Sequence, residues 1–341
     1  MTKLPQLKNS VEIVGTLKSL ELENLTSKTG KPYVKGTVTV AAKSEDKIHE
    51  HKISVFQMAT SKLYKGIQTM MREYRSSDLH PELADRIRVT GEVELEQYMG
   101  KDGNIRSFNK IKGVFFNRLE ADDVQPDKAM AAVEVIVKSF TPAVDKETGE
   151  ITHSTVKCFT VGYNESVVEL KKAIVKTALA DSFEALYPAN TTGMLNFKLN
   201  NYVVKTEKPK EEKIETVEVG FGAIEAVAEA QVFDKFVSEY EITGGLLPFE
   251  EPKAYTAKQI QAAERKMALA IEELKQGTQA PSTPPVGNAK GAVGGFGDLG
   301  SGMPIGMMNM PPILPATSAV PIVPSTTVAP PLVSTDDVPD F

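Results

Sequence analysis

The order of its predicted β-strands limits the fold of this chain more than any other feature. In residues 1–120, alternating apolar and polar residues predict five strands, and apolar residues at helical spacing over 61–76 predict a helix between the third and fourth. The strands are predicted over 11–24, 33–40, 48–58, 85–97 and 105–119. Asp102-Gly103 predicts a tight hairpin turn between the last two. The first segment is therefore expected to be a mainly-β, five-stranded barrel.

A barrel with its helix between the third and fourth strands has the order of an OB-fold (oligonucleotide-binding) barrel. The segment 121–255 repeats this order weakly, because a shift of about 119 residues aligns Thr29-Gly30 with Thr148-Gly149. Its strands are predicted near 131–141, 151–163, 193–205, 214–222 and 231–243. A helix is predicted over 166–186. The second segment is therefore either a diverged OB-like barrel or an unrelated α+β domain.

The composition changes after residue 255. Residues 256–278 predict an amphipathic helix with Thr256 as its N-cap. Residues 279–333 are rich in Pro and Gly and carry few charges, which predicts a disordered linker because Pro interrupts helices and strand ladders. Residues 334–341 form a separate acidic tip.

Charge is distributed unevenly along the chain, whose formal net charge is −6. Residues 1–120 contain 20 Lys and Arg against 15 Asp and Glu, a net charge of +5. Residues 121–255 contain 14 against 23, a net charge of −9. Phosphate contacts are therefore expected in the first segment.

Several classes of function are disfavoured by what the sequence lacks. It has no apolar run long enough for a membrane span and no apolar signal core, so a cytoplasmic protein is expected. Cys158 is the single cysteine, which excludes an intramolecular disulfide and a zinc site built on cysteines. His49 and His51 lie two residues apart on one strand, but no clear third metal ligand accompanies them. No catalytic or nucleotide-binding motif is present, so we expect neither an enzyme nor a cofactor.

The first segment contains aromatic and basic residues in strand positions that share a face. Arg106, Phe108, Lys110 and Lys112 alternate along the fifth predicted strand, and Ile105, Ile111 and Phe115 are expected to fill the core side. Single-stranded nucleic acid is bound by such faces, through bases stacked on aromatic rings and phosphates held by cations. The candidate DNA-binding residues are Lys28, Lys31, Tyr33, Lys35, Lys52, Phe56, Tyr98, Lys101, Arg106, Phe108, Lys110 and Lys112. The alternative is that this surface is only a solvated, charged face.

The chain ends with Asp336, Asp337, Val338, Pro339, Asp340 and Phe341. This ending resembles the acidic tip of bacterial single-stranded DNA-binding proteins, which also have an N-terminal barrel and a Gly- and Pro-rich linker. Asp340 between Pro339 and Phe341, the short acidic run and the second segment depart from the bacterial pattern, so the chain looks more like a phage-encoded analogue. The resemblance implies that Phe341 enters an apolar pocket on partner proteins, while Asp336 and Asp337 add longer-range attraction.

The resulting hypothesis is a protein that binds and protects single-stranded DNA without sequence specificity during replication, recombination and repair. Its expected partners are single-stranded DNA and, through the tip, replication proteins such as a polymerase or helicase; self-association is left open. The alternatives are a recombination mediator or annealing protein, and a structural or assembly protein with barrel domains.

Overall fold

A computed structural model of the chain describes residues 2–120, 122–146, 148–207 and 232–277. The strand predicted over 214–222, the linker predicted over 279–333 and the tip at 334–341 lie outside these residues. Within the described residues, no helix combines the length and the apolar character that crossing a membrane requires.

The first five strands close into a barrel. The elements are β1 (Asn9–Thr26), β2 (Pro32–Ser44), β3 (Lys47–Met58), α1 (Tyr64–Glu73), β4 (Arg86–Met99) and β5 (Ile105–Arg118). Hydrogen bonding follows the closed order β1-β2-β3-β5-β4-β1, with only the β3–β5 pair parallel. This is the strand order of an OB-fold, and it confirms the predicted fold class.

The barrel is held together by the inward side of each strand. Ile13, Leu17 and Ile53 are fully buried there, as the two-residue alternation of their strands requires. Ile67 and Met70 of α1 join the same core. Each fully buried aliphatic side chain of this size contributes about 1.5–3 kcal/mol relative to exposure.

The second barrel repeats this topology. Its elements are β6 (Lys128–Val144), β7 (Ile151–Val161), β8 (Val167–Lys176), α2 (Thr177–Leu186), β9 (Thr192–Glu207) and β10 (Val232–Gly245). The pairing order is β6-β7-β8-β10-β9-β6, and β8–β10 is the parallel pair. Gly30 and Gly149 occupy the equivalent first turns with φ of +76° and +73°, a conformation that favours glycine. The OB-like alternative for this segment is therefore the one observed.

The helix predicted over 166–186 was wrong in its first half. Val167–Lys176 is strand β8, and only Thr177–Leu186 is helical. The β7–β8 register shifts between Val156 and Cys158, and Lys172 has φ of +57°. This bulge interrupts the two-residue alternation, so the apolar spacing mimics that of a helix.

The two barrels share one ten-stranded sheet because β1 pairs with β6, from Asn9 opposite Val133 to Val14 opposite Lys128. A further helix, α3 (Ala257–Gly277), packs with Leu4, Leu7 and residues of the second barrel into a smaller apolar cluster. The backbone N–H of Thr256 donates to Gln259 Oε1 at 2.9 Å, and the backbone N–H of Gln259 donates to Thr256 Oγ1 at 3.4 Å. These reciprocal bonds cap the start of α3.

Candidate nucleic-acid interface

The sequence-predicted DNA-binding residues lie on one side of the first barrel, the outer surface of β2, β3, β5 and β4. Strand pairing sets Lys35 opposite Phe56, Ser54 opposite Lys112, and Tyr98 opposite Arg106. The strand residues of this first-barrel face are Tyr33, Lys35, Lys52, Phe56, Tyr98, Arg106, Phe108, Lys110 and Lys112. Lys28 and Lys31 lie in the β1–β2 loop, and Lys101 lies in the β4–β5 loop. The face of β2 and β3 and these two loops correspond to the surface with which OB-folds bind oligonucleotides.

Two aromatic pairs stand at opposite ends of this face. The ring centroids of Tyr33 and Phe56 are 5.5 Å apart, and those of Tyr98 and Phe108 are 6.2 Å apart. Phe56 is 51% exposed and Phe108 is 44% exposed, so both rings present area to solvent. From the β3–β5 register and a rise of about 3.3 Å per residue, the pairs are roughly 20 Å apart along the strands. This spacing leaves room for the backbone of an extended nucleic-acid strand between two positions where its bases could stack.

The cations of the face fall into two groups. Three of them have acidic partners: Lys110 Nζ lies 3.0 Å from Glu96, Lys112 Nζ lies 3.0 Å from Glu94, and Arg106 lies 3.3 Å from Asp102. Within the described part of the chain, no ion pair forms with the other five, which are Lys28, Lys31, Lys35, Lys52 and Lys101. The unpaired charge is therefore concentrated on β2, β3 and the two loops.

The β4–β5 loop holds its acidic residue in place. The backbone and side-chain amides of Asn104 donate to Asp102 at 3.3 and 3.1 Å. These bonds, with a weaker one from Arg106, keep the pKa of the Asp102 carboxyl below its usual value. Asp102 remains ionised and offsets part of the charge of Arg106.

Phe115 corrects the sequence interpretation. We expected it on the core side of β5, yet it is exposed, and Phe116 packs against the core instead. The β4–β5 register shifts between Thr90 and Gly91, because Gly91 pairs with Gly113 while Thr90 pairs with Phe115. Val114 is the extra residue, so the alternation reverses beyond it. Phe115 consequently joins the first-barrel face, and the adjacent Phe-Phe pair was the only sequence signal for it.

His49 and His51 are buried where β3 approaches β9. The backbone N–H of Asn201 donates to His49 Nδ1 at 3.3 Å, while His51 Nε2 has no partner among the described residues. Burial, together with a smaller contribution from the neighbouring His49, lowers the pKa of His51 to about 4. Among the residues that the structure describes, no three His, Cys, Asp or Glu side chains converge as a metal site would require.

The second barrel borders the face with acidic groups. Lys52 and Lys110 line a cavity of about 60 Å³ together with Asn200 and Glu239. The side-chain amide of Asn200 donates to Glu239 at 3.1 Å and to the buried Glu241 at 2.9 Å. The electrostatic attraction for phosphate therefore falls off toward the second barrel.

The strand order and the first-barrel face together define a protein of two OB-fold barrels, of which the first has an aromatic and basic surface. The chain belongs to the YorF family, whose model matches residues 8–277. No curated protein matches its sequence.

Solved structures with similar folds include single-stranded DNA-binding proteins. The wild-type protein from Thermus aquaticus is 14% identical, covers 74% of this chain and 99% of its own, and has a TM-score of 0.42. The Plasmodium falciparum SSB, solved with single-stranded DNA, is 13% identical, covers 35% of this chain and 100% of its own, and has a TM-score of 0.25. The fold assignment rests on the strand pairing described above and not on these similarities.

Proposed function

We propose that the first-barrel face binds single-stranded DNA without sequence preference and that the protein acts as a binding protein rather than an enzyme. The observation that carries this proposal is the placement of two exposed aromatic pairs at the ends of a face with unpaired lysines. A protein bound along single-stranded DNA in this way would protect it during replication, recombination and repair. This role is in keeping with a phage-encoded analogue of the bacterial proteins.

Base stacking supplies the part of the affinity that distinguishes single strands from duplex. Each base stacked on an aromatic ring contributes about 1–3 kcal/mol, and every base offers a π-face. Phe56 and Phe108 are half-exposed and each contacts a tyrosine ring, which fixes its orientation. Duplex DNA keeps its bases paired and stacked, so it cannot use these rings without melting.

Phosphate contacts supply the salt-dependent part. The five unpaired lysines flank the aromatic pairs through β2, β3 and the two loops. Each phosphate that a lysine neutralises releases about 0.7 counterion from a single strand. Lys110 and Lys112 would first have to exchange Glu94 and Glu96 for phosphate, so they add less.

The tail is proposed to recruit partner proteins, and this part of the proposal rests on sequence alone. Phe341 would supply the apolar anchor, worth about 1.5–3 kcal/mol when buried, and the aspartates would supply longer-range attraction. Deleting residues 334–341 is expected to abolish pull-down of a cognate polymerase or helicase while leaving oligo-dT binding in place. Unchanged pull-down would reduce the tail to a solubilising terminus.

The test of DNA binding is a fluorescence anisotropy titration of labelled oligo-dT with the full chain at several salt concentrations. If each of the five unpaired lysines takes one phosphate, log affinity falls with log salt at a slope of about −3.5. A duplex of equal length should bind markedly more weakly. Tyr163→Ala, which removes an exposed ring of the second barrel, is the matched control and should leave the affinity unchanged. A salt-independent affinity, or equal affinity for duplex, contradicts the proposal and favours a structural role.

A further inference from the structure

The outer half of the β4–β5 hairpin carries the Tyr98 and Phe108 rings of the first-barrel face. In the part of the chain that the structure describes, β5 pairs with β3 only at Ile111 and Lys112, and β4 pairs with β1 only up to Gly91. Beyond these residues, β4 and β5 pair with each other. The hairpin therefore extends past the closed part of the barrel, and a two-stranded hairpin is by itself only marginally stable.

Asn109 attaches this hairpin to the second barrel. Its side-chain Nδ2 donates to Glu169 O at 2.8 Å, and the backbone N–H of Lys171 donates to its Oδ1 at 2.5 Å. The same Nδ2 lies 3.4 Å from Glu94 O on β4. An amide that donates to one backbone carbonyl of β8 and accepts from the N–H two residues further on does what a neighbouring strand would do.

The backbone of β8 meets Asn109 at the point where its own pairing is irregular. The pairing of β8 with β10 begins at Ala173. Its register against β7 shifts between Val156 and Cys158, and Lys172 has φ of +57°. A bulge of this kind interrupts the ladder and leaves backbone groups that need other partners. The side chain of Asn109 supplies such partners from the first barrel.

Asn109 stands between two residues of the first-barrel face. Phe108 precedes it and Lys110 follows it, and because side chains alternate along a strand, both lie on the opposite side of β5. The bonds of Asn109 therefore hold the backbone that carries the Phe108 ring without occupying the face itself. Leu95 and Gln97 of β4 line a cavity of about 430 Å³ beside α3, so side-chain packing against this part of the hairpin is incomplete.

We propose that Asn109 is a positioning residue for single-stranded DNA, which uses the second barrel as a support to hold the Phe108 ring in place for a base. This role rests on the DNA binding proposed above, and it gives the second barrel a part in that binding without any contact with DNA. A strand that spans both aromatic pairs must meet two rings at a fixed separation. If the hairpin were free, binding would first have to order it, which lowers affinity.

The attachment of the hairpin can be measured without DNA. The chain contains no Trp, so Phe108→Trp places a single fluorescent reporter at the ring position of the full chain. Asn109→Leu keeps the size of the side chain and removes its hydrogen bonds, and it is expected to at least about double the amplitude of the reporter's nanosecond motion in time-resolved anisotropy. Asn117→Leu, at an exposed Asn of the same strand, is the matched control and should leave that motion unchanged. Unchanged motion in the Asn109 variant overturns the proposal.

Titration with oligo-dT tests whether this support matters for binding. Asn109→Leu is expected to weaken binding about fivefold. In a Phe108→Ala background it should have little further effect, because the ring that it positions is gone, whereas in a Phe56→Ala background its effect should persist. Equal effects in all three backgrounds would reflect a general loss of stability and overturn the proposal, as would unchanged affinity of the Asn109 variant. A wild-type chain that does not bind oligo-dT would instead overturn the proposed function, and with it the role of Asn109 in binding.

Discussion

The two barrels have the same strand order and different surfaces. Both close in the order first-second-third-fifth-fourth, and both turn through a left-handed glycine after the first strand. The first barrel exposes two aromatic pairs on its strands, while the second exposes Phe236 there and Leu179 and Leu186 on its helix. The comparison teaches that topology is set by inward residues and function by outward ones, so one fold can serve two purposes.

The largest expected effect comes from making the first barrel resemble the second at Gly36. A Cβ there would lie 1.9 Å from Glu21 O, and φ is +155°. The equivalent position in the second barrel is Thr155. Gly36→Thr is expected to destabilise the chain by about 3 kcal/mol or more through overpacking and backbone strain, measured by urea unfolding. Gly66→Ala on α1, where the added Cβ meets nothing within 4 Å, is the control and should stabilise slightly. If the Gly36 variant is as stable as the wild-type chain, the backbones of β1 and β2 do not pack tightly at Gly36.

The next effect is a pH dependence specific to the first barrel. Its third strand buries His49 and His51, whereas the third strand of the second barrel buries Val168 and Leu170. Because burial lowers the pKa of His51 from 6.5 to about 4, the unfolded chain binds its proton first as pH falls. Stability is therefore fully present above pH 6.5 and decreases toward pH 4, by about 3 kcal/mol.

The measurement is the difference in urea stability between wild type and His51→Leu over this pH range. The leucine variant copies the second barrel and should lose the histidine contribution, so its stability should fall less steeply with acidification. Parallel curves for the two proteins would mean that His51 titrates alike in the folded and unfolded chains.

Removing an exposed aromatic ring should weaken DNA binding when the ring is on the first barrel and not when it is on the second. Phe108→Ala is expected to weaken oligo-dT binding by about 1–3 kcal/mol because a base loses its stacking ring. Phe236 of the second barrel is 60% exposed on the strand equivalent to β5, so Phe236→Ala is the matched control and should bind normally. Thermal melts identify any loss that comes from unfolding. If the two variants weaken binding equally, the assignment of DNA binding to the first barrel alone is wrong.

The smallest effect distinguishes free cations from paired ones. Lys52→Ala should reduce the salt slope of oligo-dT binding by about 0.7, since one phosphate contact is lost. Lys112→Ala should change it less, because Lys112 is already engaged with Glu94 at 3.0 Å. Lys65→Ala on α1 is expected to have no effect. If the salt slope changes more for Lys112→Ala than for Lys52→Ala, the phosphates contact β5 rather than β3.

Local alternation was enough to predict the barrel, and bulges explain where it failed. Strands β1 to β5 were predicted because their β-branched residues alternate with polar ones. The bulges at Val114 and near Lys172 reversed the side on which Phe115 lies and disguised β8 as a helix. A bulge depends on pairing with another strand, which a single run of sequence does not contain.

The sequence predicted that the candidate residues share a face, but it did not predict the charge balance of that face. The alternation of side chains along β5 placed Lys110 and Lys112 on one face. Their partners Glu94 and Glu96 come from β4, and the register of β4 against β5 decides which residues pair.

The contact between β1 and β6 has a consequence for how such a chain can change over time. Val11 pairs with Ala131 and Glu12 pairs with Met130, so each barrel offers the other the same part of its first strand, as the halves of a two-fold dimer do. In a dimer of identical subunits, every substitution would appear on both halves at once. Here both halves are encoded in one chain, so they stay together at any dilution and each accumulates its own substitutions. The surface of one barrel can therefore change while that of the other stays the same.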